Sequence, residues 1–194
     1  MNFLGHLFFS NNDHEIMVNN LYGDFVKGKK FEQLPDSVQF GVRLHRAIDS
    51  YIDHHPVVLN LQRSLYKELP RVASVAVDLF FDHVLAKKWE EYHDTPLADF
   101  TAEFYAFEPK YKDYSPKFQQ IRAAMKKYNW LYQYQFLHGL YKACNGVSSR
   151  LSFENPLGEG ATIYQRHEAL VDQAFDLFMQ EAIPHFEEWH RVNS

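Results

Sequence analysis

Thiol chemistry is nearly missing from this chain of 194 residues, in which Cys144 is the only cysteine. That excludes an intrachain disulfide and a structural thiolate zinc site, and it makes the reducing cytoplasm the expected setting. Positive charge is also in deficit, since 20 Lys and Arg against 25 Asp and Glu leave a formal charge of -5. General nucleic-acid binding relies on dense cationic contacts to phosphates, so it is not expected, and any anionic ligand must find a local basic patch. No stretch approaches the ~20 apolar residues that span a bilayer. The opening Met1 to Phe9 has no leading positive region and is interrupted by His6, so it does not read as a signal peptide. Membrane insertion is not expected. Alternating apolar runs bounded by hairpin turns are absent too, which removes the strand signal.

What the sequence does contain is apolar and aromatic material, 46% and 16% of the residues. That is enough to offset backbone ordering with one large core, so a single-domain, all-α helical bundle over residues 1–194 is the expectation. Apolar residues recur at three- and four-residue spacing and predict six to eight helices. Caps at Asn11 to Asp13 predict a helix over Glu15 to Val26, stopped near Gly28. Pro35 and Asp36 open the next, through Asp53, and Pro56 starts a segment toward Leu69. A long helix over Arg71 to Tyr92 is apolar on nearly every side at Val75 to Leu85, which belongs at the centre of a bundle. Thr95-Pro96 and Ser115-Pro116 start helices through Phe107 and Tyr128. A further helix over Tyr134 to Ala143 is expected to end at Asn145-Gly146, and the last, from Thr162, to kink or end at Pro184.

The chemistry-bearing residues fall on these helices. His45 and Asp49 are four apart and share one helix face, with Asp53 one turn further and Arg46 beside them. Asp78, Asp82 and His83 sit inside the apolar central helix. A buried, unpaired carboxylate costs several kcal/mol, so such groups persist only when paired, hydrogen-bonded or bound to a cation. With Asp24 at another helix end, the chain offers a mixed His and carboxylate set suited to Mn, Fe, Zn or Mg. The competing reading is a buried hydrogen-bond network with Arg43, Arg46 or Tyr51 as partners. His93-Asp94 is a literal His-Asp dipeptide, but it falls just before a helix start and reads as loop or cap.

Asn2-Phe3-Leu4-Gly5-His6-Leu7, Gly23-Asp24-Phe25-Val26-Lys27-Gly28, His45-Arg46-Ala47-Ile48-Asp49 with Asp53, and Asp78 through Phe81-Asp82-His83 together resemble the acyl carrier protein phosphodiesterase family. The resemblance is strongest over the first ninety residues or so. It implies a divergent relative of the HD phosphohydrolases and Mn2+-dependent release of 4'-phosphopantetheine from a serine of acyl carrier protein. Mg2+, Fe2+ or Zn2+ are the other candidate ions. It further implies that Asp24, His45, Asp49, Asp82 and His83 surround the metal, with His6, Asp78 and Asp53 as further candidates. A carboxylate such as Asp49 or Asp24 would help deprotonate water, and Arg46 or Lys27 would stabilise transition-state charge. Because the carrier is acidic, Lys27, Lys29, Lys30 and Arg43 are the expected docking residues. The rival functions are an HD-type nucleotide phosphohydrolase and a non-catalytic helical module binding through Trp130, Tyr132, Tyr134 and Phe136.

Overall fold

Helix starts follow from local chemistry in the computed structural model, which describes residues 1–193. The elements are α1 (Phe3–Phe8), α2 (His14–Tyr22), α3 (Asp36–His54), α4 (Pro56–Leu65), α5 (Ala73–Lys87), α6 (Trp89–Tyr92), α7 (Leu97–Ala106), α8 (Pro116–Tyr128), α9 (Trp130–Gln133), α10 (Leu137–Ser148) and α11 (Gly160–Asn193). Short 3-10 segments occupy Gly23–Phe25, Gly28–Gln33 and Pro156–Glu159, and no strand occurs among the described residues. Asp13 caps α2 by accepting from the amides of Glu15 and Ile16. Ser115 caps α8 through the Phe118 amide, with Pro116 at the first position, and Asn129 ends it in the left-handed conformation at φ 49°.

Two expected stops are overridden. Asn145-Gly146 does not end α10, because the Asn145 side chain donates to the Tyr141 carbonyl within the helix and to the Gly158 carbonyl across from it. The amide therefore fastens α10 to the following segment. Pro184 lies inside α11, and the non-helical residue is instead His167, at φ -116° and ψ 15°, where its ring meets Glu68 at 2.5 Å.

Buried apolar residues from Met1 to Phe186 form one core, and α5 runs through it as its sequence predicts. Around it the first three helices are set for the site. A Cβ on Gly41 would lie 2.4 Å from Asn19 Cβ and 2.5 Å from its backbone carbon, so only glycine lets α3 press this closely on α2. One turn further along α3 is His45, brought against the end of α2. None of the described helices is long and apolar enough to cross a membrane.

Candidate functional site

Three stretches of chain converge on two imidazoles. His6 comes from α1 and His45 from α3, and their rings stack at 4.2 Å between centroids. Asp49, one turn after His45, reaches both: Oδ1 lies 3.2 Å from His6 Nε2 and Oδ2 lies 3.2 Å from His45 Nε2. Asp24, in the 3-10 turn after α2, places Oδ1 3.5 Å from His45 Nε2. Ligand atoms of His6, His45 and Asp49 all lie within 4.8 Å of one another.

The imidazoles are held by neighbours that fix how they point. His6 Nδ1 is 3.0 Å from Asn20 Oδ1, and the Asn20 amide nitrogen donates to the His6 carbonyl and to Ser10 Oγ. The amide orientation is thereby set, so His6 carries its proton on Nδ1 and turns the Nε2 lone pair toward Asp49. This is how a buried histidine is prepared as a metal ligand. His45 is held by Gly23, where a Cβ would come within 2.4 Å of the ring, so the glycine before Asp24 is the space the imidazole fills.

The charges of the cluster act strongly on one another. Burial opposes charging His45, but the hydrogen bonds and charges of Asp24 and Asp49 outweigh it and raise the imidazole to about 9. Burial and the charge of His45 keep His6 lowered, hence neutral. Burial works against the Asp49 carboxylate, yet the hydrogen bond and charge of His45 hold it well below the usual range, and the hydrogen bond to His45 lowers Asp24. Two imidazole nitrogens and carboxylate oxygens at this spacing fit a divalent ion such as Mn2+, Fe2+, Zn2+ or Mg2+. One consequence is measurable. A ligating imidazole must be unprotonated, so an ion entering the metal-free protein at pH 7.5 has to displace the His45 proton. Calorimetric titration with Mn2+ in two buffers of different ionisation enthalpy should give about one proton released, with affinity rising about tenfold per pH unit from 6.5 toward 9. Heats independent of buffer would contradict a protonated His45. In the metal-free state the same raised pKa stabilises the fold fully below pH 6.5, a contribution lost as pH climbs through about 9.

The cluster forms part of the wall of a cavity of about 510 Å3, lined also by Asp24, Asp53 and Asp78. Burial, with the charges of Asp78 and Asp49, raises the Asp53 carboxyl. Asp78 pairs at 2.8 Å with the Met1 ammonium.

Other expected site residues lie elsewhere. Asp82 is 1% exposed, and both its oxygens are taken by backbone: Oδ1 accepts from the amides of Asn2 and Gly5, and Oδ2 from that of Leu4. The carboxylate caps α1 from across the core, so its charge is met by a helix N-terminus rather than by a shared ion. Burial pushes this carboxyl up to about 7, against the pull of the Met1 ammonium and the Leu4 and Gly5 amides. His83 points toward α9 and α11, with Nδ1 2.5 Å from the Tyr134 carbonyl and its ring edge-on to Tyr164 at 4.8 Å. Neither Asp82 nor His83 lines the cavity. The structure thus does not bring the expected pair on α5 to the cluster: Asp82 meets α1 and His83 meets Tyr134 and Tyr164, while His6 lies beside His45 and Asp49. Arg46 also lies apart from the cluster. Its guanidinium donates to the carbonyls of Val26 and Gly28 and lies 4.5 Å over the Phe31 ring, so it pins the segment after Asp24 and does not reach the cavity. Lys27, Lys29, Lys30 and Arg43 are exposed and outside the cavity wall. Asn20, Lys117 and Arg150, the last two lining the cavity, were not singled out by sequence; Asn20 carries no pattern signal, and the two cations come from the half of the chain with the least specific motifs.

Comparison with known proteins supplies the remaining finding. The model of the family described as "Acyl carrier protein phosphodiesterase" matches residues 1–182. Curated proteins of that name are similar to the chain. One from Escherichia coli O45:K1 (strain S88) is 32% identical over 77% of this chain and 79% of its own. One from Escherichia coli O157:H7 is 30% identical over 90% and 92%, and one from Photorhabdus laumondii subsp. laumondii 29% identical over 90% and 89%. No solved structure matches. With the family model spanning nearly the whole chain and relatives of that name about 30% identical over most of it, this chain belongs to the acyl carrier protein phosphodiesterase family.

Proposed function

We propose that this protein hydrolyses the phosphodiester joining 4'-phosphopantetheine to a serine of acyl carrier protein, using a divalent ion, Mn2+ first, held by His6, His45 and Asp49. The observation that carries the reading is the convergence of those three side chains, with Asp24 beside them, in a chain of this family. A phosphodiester resists hydroxide because both are anionic; a bound divalent ion would supply the Lewis acidity that offsets this repulsion and makes water more acidic. The chain's own groups do the rest. Asn20 orients His6, and Gly23 leaves room for His45. Asp24, kept ionised by its hydrogen bond to His45, takes a proton from the attacking water. Water oxygen bonds to phosphorus as the bond to the serine oxygen breaks. The proton taken up by Asp24 passes to that leaving oxygen, and Asp53, which lines the same cavity, is placed to relay it. The products are 4'-phosphopantetheine and apo-carrier.

The ligands come from two helices and differ from the adjacent His-Asp pair of ordinary HD enzymes, in keeping with a divergent member of that group. Lys27, Lys29 and Lys30, on the segment directly after Asp24, and Arg43 on α3 are exposed cations suited to docking an acidic carrier. The reaction belongs in the cytoplasm, a setting that suits the lone, buried Cys144. Mass spectrometry of holo-carrier incubated with the protein and Mn2+ should show loss of one phosphopantetheine, and no loss with a chelator present. An unchanged carrier alongside turnover of a nucleotide panel would reject this substrate.

A further inference from the structure

With Arg46 bound to backbone carbonyls and Lys27 outside the wall, the cavity needs another source of positive charge for an anionic substrate. We propose that Lys117 and Arg150 form a clamp that holds the substrate's phosphodiester oxygens within the cavity that His6, His45 and Asp49 also line. This deepens the phosphodiesterase reading and rests on it for the identity of the anion.

Both side chains line that cavity, yet each is left without a counter-charge. Among the described residues neither makes an ion pair, although Asp24, Asp49, Asp53 and Asp78 line the same space. Arg150 follows the end of α10, and its Nε donates to the Gly146 carbonyl at 2.9 Å. That bond fixes the guanidinium plane while its two terminal nitrogens make no hydrogen bond among the described residues, leaving two N–H groups on its outer edge for two phosphoryl oxygens. Lys117 stands at the second position of α8, a helix with no acidic residue in its first turn. A cation at the positive end of a helix is unfavourable for the helix itself, and Lys117 stands there exposed and without an ion pair among the described residues. Its ammonium also makes no hydrogen bond among the described residues. The same two helices supply apolar wall: Ile121 lies one turn beyond Lys117, and Val147 three residues before Arg150. A diester with an organic arm has that composition, an anionic centre with apolar atoms beside it.

The test compares native protein with Lys117→Ala, Arg150→Ala and Arg150→Lys, all metal-loaded. Holo-carrier cleavage reads KM and kcat, and calorimetry reads binding of 4'-phosphopantetheine, which is too small to reach a docking surface. Each alanine variant should lower kcat/KM about 10- to 100-fold and weaken 4'-phosphopantetheine binding by a similar factor. Arg150→Lys should recover only part, because it keeps the charge and loses the fork. Thermal midpoint and Mn2+ affinity should stay at native values. Native binding of 4'-phosphopantetheine by both alanine variants overturns the clamp, even if carrier cleavage falls. Should native protein leave holo-carrier intact, the substrate assignment fails separately, and the clamp is then judged on inorganic phosphate: equal affinity in native and Arg150→Ala protein overturns it, and a loss of about tenfold or more supports it.

Discussion

Asp49→Ala should reduce carrier cleavage by at least about a thousandfold and remove measurable Mn2+ binding at micromolar concentrations. Among the described residues only Asp49 pairs with both imidazoles: its two oxygens lie 3.2 Å from His6 Nε2 and 3.2 Å from His45 Nε2. Removal leaves two stacked rings 4.2 Å apart without the anion between them. His45 then keeps only Asp24 to support its proton, so its pKa falls from about 9 toward the ordinary range. The proton released on metal entry at pH 7.5 should shrink accordingly, while the far side of the core is untouched. Carrier cleavage, bound metal by elemental analysis and the heat of Mn2+ titration together check this. An alanine variant that retains stoichiometric Mn2+ would move the ion away from this cluster.

The helical period exposed the parts of this site that lie within one helix. His45 and Asp49 share a face of α3 because they are four apart, and that spacing survives folding unchanged. His6 was harder to weigh, since α1 has six residues and its partners come from Asn20 and Asp49, at separations that no periodicity encodes. The partners of Asp82 were not legible for a more general reason. A carboxylate in an apolar run must find donors, and a sequence displays side-chain donors but not backbone ones. The first turn of α1 supplied three amides. Arg46 misled in a similar way, because adjacency in sequence means about 100° of rotation around a helix, enough to aim it at the 3-10 segment instead of the cavity. The α10 stop failed because a tertiary contact of Asn145 outweighs local propensity, whereas Pro184 is simply carried inside α11.

Asp82→Ala is the second substitution with a large expected effect, and the effect is on stability. It strips the amides of Asn2, Leu4 and Gly5 of their acceptor in a site where Leu4 and Gly5 are buried. Charging this carboxyl is itself costly, which is why burial pushes it up to about 7, so the loss comes from orphaned donors and not from a missing charge. An unsatisfied buried amide costs about 1–3 kcal/mol, and water reaching Asn2 relieves part of it, so about 3 kcal/mol in total is expected. For a chain of this size that lowers the thermal midpoint by roughly 6–12 °C. Because α1 carries His6, Mn2+ affinity should weaken as well, but the rise in midpoint on adding Mn2+ should persist in Asp82→Ala and vanish in Asp49→Ala. Thermal melts of both variants with and without Mn2+ separate the two roles. If Asp82→Ala melted like the native metal-free protein and no longer responded to Mn2+, the carboxylate would be a ligand after all, and α1 would need another cap.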